Sequence, residues 1–534
     1  MYHLSPMSRV AVLLLAAACL PARADDSLAH QSIEQLAAQM RASKTSAESL
    51  VRYDLDRIRL LDQNGPALHA IISLNPDALA QAKALDEERR AHGVRGPLHG
   101  IPILIKDNIE TQDRMPTTAG SLALAQNQAT ADAPVVAALR DAGAVILGKT
   151  NLSEWANYRS TQSISGWSAA GGLTRNPYVL DRTACGSSAG SAVAVAAGLS
   201  VAALGSETDG SITCPSSMNG LVGLKPTVGL ISQQGIIPVS KSQDTAGAMA
   251  RNVTDVAILL TQIVRRASTA CALPANDCST RDYTAGLDKD WLRGKRIGVL
   301  RFKLGTNAEV EQLYAQALSR LRAAGALLLD VQMPNMDAIE HAEQTALLSE
   351  FRTSIDAYLA ALPPAVKTRS LKQLIEFDRA SAYELELFGQ DIFLQADVDA
   401  GSGDAAYKQA RGQARQLAGE EGIDRMIKEQ RLDLLVAPTV TPAWRVDVVN
   451  GDPDPASSST LAAVAGYPHL TVPMGQVQAL PVGLSFIGPA WSEAELLDAG
   501  FAYESRGDGF VAPRFIPTLE TPGLSEFQPR PLKP

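Results

Sequence analysis

Apolar positions recur at helical spacing through the first part of the chain: Ile33, Leu36, Ala37 and Met40, then Leu50, Tyr53, Leu55 and Ile58. Residues 78–92 are rich in Ala, Leu, Lys and Glu, and Gly93 stands where a helix would end. Residues 27–92 therefore read as helical. The pattern then changes. Residues 101–105 (Ile-Pro-Ile-Leu-Ile) read as a buried strand, 134–142 as an amphipathic helix and 144–147 (Ala-Val-Ile-Leu) as a second buried strand. Residues 191–204, rich in Ala and Val, read as a helix apolar on most faces and packed inside. Short apolar runs at 296–300, 326–329 and 433–437 each follow a helical pattern. Residues 338–430 read as mostly helical and polar, broken at Pro363-Pro364, and 522–534 as an irregular surface tail. Strand–helix alternation of this kind predicts an α/β fold with a sheet covered on both faces.

Composition narrows the class. The 534 residues are 46% hydrophobic and 20% charged, ordinary for a globular protein with a large core. The net charge is −9 and no run of Lys or Arg forms a basic stripe, so no nucleic-acid partner is expected. At the N-terminus, Arg9 precedes an apolar run at 10–20, and Ala22-Arg23-Ala24 fits a cleavage site. Residues 1–24 read as a secretory signal and 25–534 as the mature chain, periplasmic or secreted. Cleavage would remove two arginines and no acid, taking the charge from −9 to −11. The run of 11 residues is too short to span a bilayer, so no stable membrane span is expected. A lipoprotein signal ending at Cys19 fits less well, because Ala16 replaces a larger aliphatic residue.

Export would leave Cys185, Cys214, Cys271 and Cys278. Cys271 and Cys278 flank a loop containing Pro274 and Asn276, and a disulfide closing it is expected in an oxidising compartment, two unpaired thiols being the alternative. No His or further Cys lies near them in sequence, so no metal site is expected. Cys185 and Cys214 read as small buried residues rather than nucleophiles.

Three motifs compete for the chemistry. Gly-Ala-Val-Ile-Leu-Gly-Lys-Thr at 143–150 matches a phosphate-binding loop letter for letter, yet its central residues favour a buried strand over a loop of cradling amides. Gly-Ser-Ser-Ala-Gly at 186–190 matches a nucleophile elbow centred on Ser188. An elbow needs a strand leading in and a downstream histidine. Residues 176–184 make a poor strand, and the downstream histidines are His341 and His469. The third arrangement is a lysine with two serines in small-residue turns: Lys106 after residues 100–105, Ser187 in Cys-Gly-Ser-Ser-Ala-Gly at 185–190, and Ser211 in Glu-Thr-Asp-Gly-Ser-Ile at 207–212. A serine hydroxyl needs a base, and a lysine serves once burial lowers its pKa.

These segments, with residues 220–227 (Gly-Leu-Val-Gly-Leu-Lys-Pro-Thr) and supporting pieces at 143–152, 174–177 and 465–473, resemble those of the amidase signature family. The likeness runs from about residue 30 to 510 and includes the 24-residue spacing from Ser187 to Ser211. Residues 207–215 look most similar to those of bacterial peptide amidases. The resemblance implies a single large α/β/α sandwich around a mixed β-sheet, with N-terminal helices over about 27–92, a signature core over about 95–260 and a helical substrate-side segment over about 338–430. It implies Ser211 as nucleophile, Ser187 as bridging serine on a cis peptide bond, and Lys106 as base. The backbone amides of Thr208, Asp209, Gly210 and Ser211 would form an oxyanion hole. Gly186 has no Cβ to clash at such a turn. Cys185 stands where the family has a glycine, and Ala189 and Ser191 replace other small residues.

The expected activity is cleavage of a carboxamide through an acyl-enzyme, on a small-molecule or peptide amide, with no cofactor. The alternatives are the glutaminase-type component of a tRNA-dependent amidotransferase and an esterase using Ser188. Residues 158–172 and 338–430, with Trp167, Phe377, Tyr383, Phe388 and Phe393, are expected to shape the pocket or to pack the core. The sequence leaves the oligomeric state and the particular amide open.

Overall fold

The short apolar runs resolve into one eleven-stranded mixed sheet. The computed structural model describes residues 27–267, 281–301, 307–401, 403–453, 456–507 and 509–519. In chain order the strands are β1 (Ile71–Leu74), β2 (Pro102–Lys106), β3 (Val145–Thr150), the short pair β4 (Trp167–Ser168) and β5 (Gly172–Leu173), β6 (Ala202–Glu207), β7 (Val222–Lys225), β8 (Thr245–Ala250), β9 (Arg296–Val299), β10 (Leu327–Asp330), β11 (Leu434–Pro438), β12 (His469–Val477) and β13 (Leu480–Ile487). β4 and β5 pair only with each other; the rest order as β1-β3-β2-β6-β8-β7-β12-β13-β11-β9-β10. β3, β2 and β6 run parallel at one end and β11, β9 and β10 at the other, with antiparallel β8, β7, β12 and β13 between them. Helices flank this sheet, giving the α/β sandwich.

Five strands fall where the apolar runs predict, and two stretches differ. Residues 27–92 form helices Ile33–Arg41, Ala47–Arg57 and Ala78–His92, but β1 interrupts them. It is an edge strand of four half-buried residues, too short and too mixed to stand out. The helix expected over 191–204 divides into helix Ala189–Ala196 and strand β6. Both are buried at every position, so neither shows a polar face to reveal its period; Gly198, with φ +68°, turns the chain between them. Residues 143–150 bear out the strand reading over the phosphate loop. Every residue of β3 is buried, and Lys149 Nζ is used internally, donating to the Ile109 carbonyl (2.6 Å) and Thr117 Oγ1 (2.8 Å).

The predicted helical segment contains helices Met336–Ala361, Leu371–Ala380, Asp391–Val398, Ala405–Arg415 and Arg425–Gln430, the first ending just before Pro363-Pro364. Its aromatic residues serve mostly as core. Phe393 stacks on Phe351 (5.4 Å between centroids) and meets Trp155 edge-on, and Trp167 meets Phe388 edge-on at 5.2 Å. Tyr383 is 52% exposed. Beneath Trp167 and Phe388 the buried guanidinium of Arg159 pairs with Glu154 and, at 3.5 Å, with Glu384. Glu384 also accepts from Ser121 Oγ (3.0 Å) and the Leu122 amide (2.7 Å), tying the helical segment to the core.

Topology places the site. β2 and β6 are adjacent and parallel, paired Ile103↔Ala202 through Ile105↔Leu204, so their C-terminal ends emerge at one edge. Helix Ala189–Ala196 precedes β6 and is pinned to the sheet by Ser191 Oγ, bonded to the Leu204 carbonyl (3.0 Å) and Thr150 Oγ1 (2.7 Å). Its N-terminus thereby meets the edge where β2 and β6 end. Glycine makes this closeness achievable: a Cβ on Gly190 would run into the backbone of Ala70 and Asn151, and one on Gly205 would lie 2.8 Å from Ser188 Oγ.

Candidate active site

Lys106 closes β2 and is fully buried. Its Nζ donates to Ser187 Oγ (2.7 Å), Ser206 Oγ (2.9 Å) and the Ser206 carbonyl (3.1 Å), which uses all three ammonium protons. Asn108 Nδ2 donates to Ser206 Oγ from the other side at 2.8 Å. Burial pushes the Lys106 pKa from 10.5 down to about 7, against the pull of the Asp244 and Glu207 carboxylates. A lysine so shifted gives up a proton far more readily than an ordinary one, and in its neutral form it is able to take one.

Ser187 is buried, and the Gly186–Ser187 peptide bond is cis. Its carbonyl accepts from the Ser153 amide at 3.0 Å, and a Cβ on Gly186 would collide with the Ser153 hydroxyl. Ser188 faces β6 instead. Its Oγ donates to the Ser206 carbonyl (3.1 Å) and accepts from the Ser206 amide (3.3 Å). The described approach to this turn contains isolated bridges at Val179 and Arg182 rather than a strand, as the sequence suggested. His469 is buried against Ser485 Oγ (2.6 Å), its pKa pushed down to about 3 by burial and by Lys225; His341 is exposed on helix Met336–Ala361. Neither meets Ser188, so the elbow lacks its base.

Ser211 is 7% exposed, in the turn between β6 and helix Thr213–Met218. Its carbonyl accepts from the Ser188 amide at 3.1 Å, which joins the two serine turns. Among the described residues the Ser211 and Ser187 hydroxyls are not hydrogen-bonded to each other. The backbone of the Ser211 turn divides in two. The Ile212 and Thr213 amides donate to Glu207 Oε2 at 2.6 and 2.9 Å. The four preceding amides, of Thr208, Asp209, Gly210 and Ser211, donate to no protein group among the described residues. Backbone N–H groups are seldom left unpaired in a nearly closed site, and this set is open to an anionic oxygen. Gly210, with φ +77° and Ser459 Oγ 3.0 Å from where a Cβ would sit, allows the turn.

Sequence reasoning missed a supporting set. Asp244 accepts from Thr208 Oγ1 (2.6 Å) and from the Val239 and Ser240 amides (2.8 and 2.9 Å). Glu350 on helix Met336–Ala361 accepts from Ser240 Oγ (2.5 Å) and the Ser242 amide (3.0 Å), and Glu343 from Gln243 Nε2 (2.7 Å). Residues 239–244 thus bridge the helical segment to the turn carrying the free amides. Nothing local in the sequence marks Asp244, which lies 33 residues beyond Ser211. The cysteine assignment also needs correction: Cys185 and Cys214 are not merely small buried residues but a disulfide, with Cα atoms 6.0 Å apart. Sequence spacing points to the pair in a shared loop, whereas Cys185 and Cys214 are 29 residues apart and are joined only by the fold. Cys271 and Cys278, like residues 1–24 with Cys19, and the 522–534 tail, lie outside the described residues. No group of three or more His, Cys, Asp or Glu suited to a metal ion occurs among the described residues.

Comparison with known proteins bears on this geometry. The sequence profile of the amidase family matches residues 49–497. The structure of native peptide amidase from Stenotrophomonas maltophilia superposes with a TM-score of 0.87 at 49% identity, covering 92% of this chain and 100% of that one. A probable amidase of Arabidopsis thaliana is 37% identical over 92% of both chains. A glutamyl-tRNA(Gln) amidotransferase component from Pseudomonas aeruginosa is 35% identical over 90% of this chain and 98% of its own. With the sheet, the lysine and the two serine turns in one arrangement, the chain belongs to the amidase signature family and is an amide-hydrolysing enzyme.

Proposed function

We propose that this protein is an exported serine amidase that hydrolyses carboxamides, including the C-terminal amide of peptides, through an acyl-enzyme. One observation carries the mechanism: buried Lys106, its pKa near 7, lies 2.7 Å from Ser187 Oγ, beside a Ser211 turn with four unpaired amides. Ser211 Oγ attacks the amide carbon and passes its proton through Ser187 Oγ to neutral Lys106. The amides of residues 208–211 hold the developing oxyanion, a role in which losing one donor typically slows an enzyme about 10²–10³-fold. The proton returns from Lys106 through Ser187 to the leaving nitrogen, and ammonia or an amine departs. Water then attacks the ester by the same relay and releases the acid.

The peptide-amide reading rests on the likeness to the Stenotrophomonas maltophilia enzyme, described as a peptide amidase. Export rests on the N-terminal pattern and is supported by the Cys185–Cys214 disulfide, a bond that persists in oxidising compartments. Among the described residues no helix is long and apolar enough to cross a membrane.

The test is ammonia release from a C-terminally amidated dipeptide, an aryl acetamide, glutamine and a short aliphatic amide, with wild type and Ser211→Ala. Release from the dipeptide amide, lost in the variant, is expected. Release confined to glutamine would favour the amidotransferase-type reading. Release that survives in Ser211→Ala would remove Ser211 as nucleophile.

A further inference from the structure

The two serine turns are not held alike. The Ser211 turn leaves β6 at Glu207 and enters a helix at Thr213, so regular structure clamps both sides. The Ser187 turn has helix Ala189–Ala196 on one side only. On the other, residues 174–188 form no strand in the sheet, only the isolated bridges Val179↔Ile516 and Arg182↔Arg445. That side is held by side chains instead, Asn176 and Asn219 donating to the Thr183 and Ala184 carbonyls, and the disulfide adds a covalent link there. Cys185 stands two residues before Ser187, with φ +57°, a conformation uncommon for a residue with a side chain. Cys214 stands three residues after Ser211, in the first turn of helix Thr213–Met218, its amide bonded to the Gly210 carbonyl at 2.8 Å. The bridge therefore closes a short circuit: Cys185 to Ser187, across to Ser211 through the Ser188 amide, on to Cys214 and back.

We propose that the Cys185–Cys214 disulfide is a positioning element of the catalytic site, holding Ser187 in register with Ser211, so that turnover depends on its oxidation. The proposal rests on the assignment of those serines given above. Their relay spans two hydroxyls and an amine, and a displacement of about 1 Å in such a geometry can cost about a hundredfold in rate. Lys106 and Ser206 are seated on β2 and β6, and the turn with the free amides is clamped between β6 and helix Thr213–Met218, so these groups keep their places without the bridge. Reduction should therefore lower the chemical step and leave substrate binding nearly unchanged. One dithiothreitol supplies two electrons and two protons, leaves as its cyclic disulfide, and converts the bridge to two thiols. Both sulfurs belong to nearly buried residues (5% and 6% exposed), so a Cys185→Ala/Cys214→Ala double variant accompanies the reduced wild type.

The experiment measures kcat and KM on the best amide of the panel. It also measures the labelling rate of Ser211 by a fluorophosphonate, for oxidised, reduced and reoxidised wild type and for the double variant. Thiol titration fixes the redox state, and circular dichroism with thermal unfolding checks the fold. The expected result is a kcat at least about tenfold lower in the reduced and double-variant proteins, with a parallel fall in labelling, KM within about threefold, a retained fold at assay temperature, and recovery on reoxidation. Unchanged kcat and labelling in protein with two titrated thiols would overturn the proposal. So would losses that appear only where the fold is lost, since the bond would then be structural alone. If oxidised wild type hydrolyses no amide, the proposed function fails, and the labelling rate still reads the role of the disulfide.

Discussion

Replacing Lys106 by methionine removes an amine whose charge the fold disfavours, and the effect is readable in stability as well as rate. Burial takes its pKa from the ordinary 10.5 to about 7. Below pH 7 the amine is protonated in folded and unfolded chains alike, and the cost of burying the charge is present in full. Between pH 7 and 10.5 the unfolded chain keeps the proton and the folded chain has released it, so stability rises with pH across that window. At ~1.36 kcal/mol per pH unit, the span from 7 to 10.5 is worth about 5 kcal/mol. Lys106→Met lacks the group, and titrations remote from the site cancel between the two proteins. Whatever the variant loses in hydrogen bonds to Ser187 and Ser206, its stability relative to wild type should fall by about 3 kcal/mol between pH 7 and 9.5. Guanidinium unfolding of both proteins, disulfide intact, measures this. The same amine sets the rate: wild-type kcat/KM should rise about tenfold per unit below pH 7 and level off above it, while Lys106→Met should lose at least about a thousandfold. A stability difference that stays constant from pH 7 to 9.5 would mean that Lys106 is charged throughout and would refute its role as base.

Asp244→Asn removes the foremost charge opposing the fall of the Lys106 pKa, so the acid limb of the pH–rate profile should move to lower pH; an unmoved or raised limb contradicts the reading. Ser188→Ala should keep activity within about tenfold, because Ser188 Oγ bonds the Ser206 backbone and makes no approach to a base, whereas a loss as deep as that of Ser211→Ala would revive the elbow. Arg159→Met leaves Glu154 and Glu384 buried without their cation and should destabilise the fold by about 3–5 kcal/mol in chemical unfolding; a cost below about 1 kcal/mol would show that the cluster contributes little.

The part of the fold readable in the sequence is the part with contrast. Strands β2, β3, β9, β10 and β11 are short apolar runs set between helical patterns, and all have ends within three residues of expectation. β6 was hidden because Ala, Val and Leu buried on every side look the same in helix and strand. β7 and β8 contain Gly223 and Gly247, which break the apolar run; a Cβ on Gly247 would strike the Leu224 backbone, so close packing, not propensity, chose the residue. Lys106, Ser187 and Ser211 are legible because Lys106 closes an apolar run and the two serines sit among small residues, and the fold brings these segments to one sheet edge. Ser206, Asp244 and the Cys185–Cys214 bond were not, since what joins them is tertiary distance: Asp244 reaches Thr208 from 36 residues away.

The central claim is that Ser211 takes the acyl group while Lys106 serves as its base through Ser187. Its most direct test is the site of covalent capture. Wild type and Lys106→Met are incubated with a fluorophosphonate at pH 8, digested and mapped by mass spectrometry. The account predicts a single adduct on Ser211 in wild type, forming at least about a hundredfold more slowly in Lys106→Met. An adduct on Ser188, or equal rates in the two proteins, would contradict it.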